Sequence, residues 1–131
     1  MKRIKRFDRF IKVQQHLHKN AELQLANLHR KEAELKSTQE ELLHILGEPS
    51  ALHGLFVDVK AKRLKALASE ELRTQAAILD QKAITTERAL QVRRTEKVHA
   101  RLKEEARCEQ EKKDLIAILE SMAQKSSTSL P

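Results

Sequence analysis

The sequence predicts an all-α protein, an antiparallel two-helix coiled-coil hairpin whose second helix is longer than the first and protrudes beyond it. Three observations carry that expectation: a composition almost without turn residues, a seven-residue apolar repeat, and one turn-forming segment. Two Gly and two Pro among 131 residues cannot punctuate the strands of a mixed or all-β domain. Three Phe, with no Trp or Tyr, withhold the large side chains that fill ordinary compact cores. Ala, Leu, Glu, Lys, Gln and Arg make up most of the chain, and these are the strong helix formers.

The first helix is expected over residues 2–46. A heptad template started at Ile4 samples positions 4, 7, 11, 14, 18, 21, 25, 28, 32, 35, 39, 42 and 46. Nine of those thirteen are apolar: Ile4, Phe7, Ile11, Ala21, Leu25, Leu28, Leu35, Leu42 and Leu46. Gln14, His18, Glu32 and Gln39 interrupt the row. A repeat sustained over that length describes a coiled-coil seam.

The turn is expected over residues 47–54, GEPSALHG. Gly47 stands where a left-handed helix C-cap is wanted, and Pro49 cannot continue the helix. Ser50 is placed to cap the second helix, or Gly54 delays its start to Leu55. That helix is expected over residues 55–124, with a seam through Val57, Ala61, Leu64, Ala68, Leu72, Ala76, Leu79, Ala83, Thr86 and Leu90. This row repeats every eleven residues rather than every seven, so it twists against the supercoil the first helix prefers.

At 1.5 Å per residue the helices span roughly 65 and roughly 105 Å. Folding about residue 50 puts Ile4 beside Lys97 and leaves the rest of the second helix without an intrachain partner. Composition changes at the same place: between Gln91 and Asp114 fourteen residues are charged and six are apolar. Leu115, Ile116, Ile118, Leu119 and Met122 then form an apolar patch with nothing of its own to bury against. Residues 125–131, KSSTSLP, read as a disordered tail.

Candidate sites were sought on this frame. A formal net charge of +7 invites an anionic partner. Between residues 91 and 114, however, eight basic residues are interleaved with six acidic ones, and no Tyr or Trp offers a stacking platform, so no specific nucleic-acid binding is expected. On a helical wheel Ile4, Phe7, Phe10 and Ile11 share an arc opposite Lys2, Lys5, Arg6, Arg9 and Lys12. That segment suits the end of the seam with a solvated basic back, an acidic protein partner, or a membrane surface. His16 and His18 diverge by about 200° on a helix and cannot share a metal. Cys108, the single cysteine, has no pocket and fits a reducing compartment. No glycine-rich phosphate loop, secretory signal or apolar run long enough to span a membrane occurs. No catalytic residue, cofactor or metal is assigned, and the chain reads as cytoplasmic and not an enzyme. At the turn, Leu55, Phe56 and Val57 either plug the hairpin or form a docking tip.

A short first helix, one central turn, a long charge-dense second helix and the stretch LFVDVKAKRLKAL (Leu55 to Leu67) after the turn resemble the export stalk proteins of type III secretion systems and flagella, the FliJ-like and YscO-like family. The resemblance covers nearly the whole chain and rests on architecture rather than on an invariant motif. It implies a stalk similar to the central γ-subunit of rotary ATPases, bound within the secretion ATPase ring. It further implies contact with the cytoplasmic domain of the export gate, binding of export chaperones, and peripheral attachment at the inner membrane through the apparatus. By resemblance, gate contact falls near Leu55, Phe56 and Val59, and ATPase contact at Phe7, Phe10, Ile11 and Arg101. Leu115, Ile116 and Leu119 add a further partner-binding patch. A generic coiled-coil homodimer burying that patch is the alternative, and a basic nucleic-acid or anionic-membrane binder the third reading. The flagellar or injectisome setting, the stoichiometry and the end that meets each partner stay open.

Overall fold

The computed structural model describes residues 2–48 and 53–128, with side chains for 2–48 and 56–127. It is an all-α helical hairpin of two helices, α1 (Lys2–Leu46) and α2 (His53–Thr128). Two compact units divide it, one of residues 14–90 and one of residues 1–13 with 91–131.

The thirteen heptad positions of α1 are all buried or half-buried, from Ile4 to Leu46, including the four polar ones. Ile11, Ala21 and Leu35 are the most enclosed. A seven-residue period keeps one face of a helix against its partner for its full length, which is why the template succeeds.

α2 corrects the expectation. Of the eleven-residue row only Val57 and Leu64 lie in the seam; Ala61, Ala68, Leu72, Ala76, Leu79, Ala83, Thr86 and Leu90 are exposed. The covered row is Val57, Lys60, Leu64, Leu67, Glu71, Thr74, Ile78, Gln81, Thr85, Arg88, Val92, Thr95, His99 and Leu102, spaced by alternating threes and fours. The cause is the period. An eleven-residue stripe drifts from a heptad seam by about 5° per residue, or roughly 150° between Val57 and Leu90. It therefore starts against α1 and ends on the opposite face.

The three threonines in this seam are satisfied in a way that permits burial. Thr74, Thr85 and Thr95 donate to the carbonyls of Glu70, Gln81 and Gln91 at 2.8–2.9 Å, one turn back on their own helix. Within the 14–90 unit the helices run antiparallel. Gln81 Nε2 donates to the Ala21 carbonyl at 3.2 Å, Lys31 meets Glu70 at 3.3 Å, and Gln39 Nε2 donates to Glu71 at 2.7 Å.

In the other unit, Asp8 meets His99 at 2.6 Å. That nitrogen is buried and makes no aligned hydrogen bond, so the contact is one of proximity. Ile4 shares a shallow groove with Ala106, Glu109, Gln110 and Lys113, all further along α2 than the expected Lys97 by between about two and a half and four and a half turns. Side chains lean toward the N-terminus of their own helix, which accounts for about two residues of that offset in an antiparallel pair.

The helix ends also differ in detail. Gly47 has no positive φ; among the described residues none does. Instead its N–H is shared between the carbonyls of Leu43 (3.1 Å) and His44 (3.2 Å), and Glu48 N–H reaches Ile45 (3.2 Å). The helix stops by tightening into a 3₁₀-type turn rather than through a left-handed cap. Pro49 and Ser50 lie outside the described residues. α2 starts at His53, not Leu55: Gly54 falls in its first turn, where N–H groups have no intrahelical partner to lose. It runs to Thr128, so residues 125–128 are helical rather than tail, with Ser127 Oγ donating back to the Gln124 carbonyl at 3.2 Å. Residues 129–131 lie outside the described set.

Candidate functional site

The candidate contact residues fall into the two units separately. The 14–90 unit holds the turn-proximal group. Phe56 and Val59 are exposed, whereas Val57 between them sits in the seam. A helix that starts at His53 points residues 56 and 59, one turn apart, to the same side. The ring of Phe56 is thus offered to solvent rather than spent as a plug. The side chain of Leu55 lies outside the described residues.

The second unit holds the remaining candidates. Phe7 and Ile11 are seam residues facing α2 and contribute to packing. Phe10, expected on the same arc, lies outside the seam and is 51% exposed. It touches Phe7 edge-on, with ring centroids 6.5 Å apart and planes at 85°. Arg101 is exposed. From Lys103 to Ser127 every residue of α2 is exposed, and on this stretch stand Leu115, Ile116, Ile118, Leu119 and Met122. Spacings of three and four place them on a broad apolar arc.

Sequence reasoning missed Val13, exposed on α1 one turn after Phe10. The signal was there, because an apolar residue off a heptad row faces away from the seam. It also missed the outward run of α2, where Leu72, Leu79, Ile84 and Leu90 are all exposed.

Two histidines of α1 pair with a carboxylate one turn on. His18 pairs with Glu22 at 3.1 Å and His44 with Glu48 at 3.5 Å. Among the described residues no group of three His, Cys, Asp or Glu side chains is placed to hold a metal ion, and no helix is long and apolar enough to cross a membrane. Cys108 is exposed, its Sγ 3.8 Å from Glu104. The strongest electrostatic arrangement is local. Arg107 is held by Glu104 and Glu111, and its hydrogen bond and charge keep the Glu104 carboxyl below the usual carboxylate range. Among the described residues, each of the two units exposes large apolar side chains. Neither a family model, nor a curated protein, nor a solved structure matches the chain.

Proposed function

We propose that this chain is a non-enzymatic coiled-coil stalk or adaptor of a type III secretion or flagellar export apparatus, linking the export ATPase ring to the cytoplasmic domain of the export gate. Export chaperones are further partners in this reading. The observation that supports it is the run of exposed α2 from Lys103 to Ser127 carrying five large apolar side chains. Apolar surface of that kind on a charge-dense helix gains by burial at about 25 cal/mol per Å² when a partner covers it. The exposed Phe56 and Val59 supply a second, separate contact for the gate. Phe7 and Ile11, covered by α2, act by holding α1 in place. ATPase contact therefore rests on Leu115, Ile116 and Leu119 with Arg101.

The test is co-purification of the full chain with an F1-like secretion ATPase from the same genome. One chain per ATPase hexamer is expected, with binding lost on combined Leu115→Ser and Leu119→Ser substitution while helicity holds. An ATPase hexamer that never retains the chain overturns the reading. A homodimer is the second reading, and the exposed Leu72, Leu79, Ile84 and Leu90 favour it. Light scattering separates the two, since a dimer stable at micromolar concentration is expected only there.

A further inference from the structure

The net charge of the protein lies in one unit. Residues 14–90 hold eleven basic and eleven acidic residues, whereas residues 1–13 and 91–131 hold fifteen basic and eight acidic, the whole of the +7. Within that unit the density is highest on α1, where Lys2, Arg3, Lys5, Arg6, Arg9 and Lys12 are exposed. Asp8, the one acid among residues 1–13, faces His99.

Apolar side chains stand among these charges. Phe10 and Val13 are 51% and 55% exposed and lie one turn apart, off the Ile4–Phe7–Ile11 seam. Arg3, Arg6 and Arg9 precede them at spacings of four and seven, so cationic and apolar groups share one face of α1. We propose that this face binds the surface of an anionic lipid bilayer. Phe10 and Val13 enter the boundary between headgroups and acyl chains, and the arginines and lysines meet lipid phosphates. The inference does not rest on the export reading and would stand if no ATPase were bound.

Charge and chemistry select this occupant. A second copy would bring six cations against six, which repels. Nucleic acid would satisfy the cations but gives an exposed Phe and Val no apolar phase to enter. A bilayer with acidic headgroups offers both charge and hydrocarbon, and α1 needs no rearrangement to lie on it.

Flotation of the full-length chain with vesicles tests this. Binding is expected to vesicles of phosphatidylcholine with about a third phosphatidylglycerol, and not to phosphatidylcholine alone. Each basic side chain near the surface carries about a fivefold factor in affinity, so Arg6→Gln with Arg9→Gln is expected to weaken binding about twenty-five-fold. Phe10→Ser is expected to weaken it further at high salt, where the apolar contribution remains. Because Phe10 also rests on Phe7, Val13→Ser serves as the variant that leaves that ring contact intact. Equal binding to both vesicle types overturns the proposal, as does failure to bind either. Binding to anionic vesicles that is matched by heparin and unmoved by Phe10→Ser and Val13→Ser marks a simple polyanion or acidic-protein site and overturns it too.

Discussion

Arg107 is gripped from both sides on an exposed turn of α2, by Glu104 one turn earlier and Glu111 one turn later. The pairing holds the Glu104 carboxyl below its ordinary value of 4.5, the hydrogen bond from Arg107 being the larger cause and its charge the next. A folded-state value below the unfolded one means that any stabilisation is present above about pH 4.5 and is lost as acid protonates the group. An NMR titration is expected to show Glu104 ionising below its unpaired range, with Arg107→Ala returning it there. A Glu104 midpoint that ignores Arg107→Ala would show that the pair is not formed in solution. Seam residues give a different kind of test. The Oε1 of Gln14 is buried without a hydrogen-bond partner. Gln14→Leu removes that desolvated group and restores the heptad, so it is expected to raise stability by about 1 kcal/mol in thermal melts.

At the scale of the element, α1 was legible and α2 was not. For α1 the apolar row and the heptad row coincide, so counting apolar residues every three and four found the seam and even located Gln14, His18, Glu32 and Gln39 within it. In α2 the two rows separate. The apolar stripe through Leu72, Leu79 and Leu90 is the more hydrophobic of the two. The seam runs instead through Glu71, Thr74, Ile78, Gln81 and Thr85, whose polar atoms are met by their own helix or by α1. A readable signal existed in Val57, Leu64, Ile78, Thr85 and Val92, β-branched or apolar residues at multiples of seven. Adjacent residues discriminate between the stripes. Ile78 is 5% exposed and Leu79 68%. Ile78→Ala is expected to cost about 2–3 kcal/mol in denaturant unfolding and Leu79→Ala under about 0.5 kcal/mol. The reverse order would place the eleven-residue stripe in the seam after all.

Taken whole, the molecule divides its properties between its two units. One is electrically balanced and held by a largely polar antiparallel seam; the other carries the excess positive charge and the run of exposed α2. The change in composition near Gln91 announced that division in the sequence, because a helix stretch with fourteen charges in 24 residues has no apolar row to bury. Which side of α1 Phe10 would take was not readable from a wheel alone, since it sits at the margin of the seam arc and only packing against α2 decides it. The central claim is that helix pairing ends where Ile4 meets residues 106–113 of α2, and that the exposed apolar side chains from Leu115 to Met122 lie beyond that groove. Amide hydrogen exchange on the isolated protein tests it most directly. Protection is expected along α2 from Val57 to Leu102 and fast exchange from Asp114 to Ser127, beyond the Ile4 groove, where helical hydrogen bonds have no tertiary cover. Equal protection before Leu102 and after Lys113 in a monomer would contradict the account.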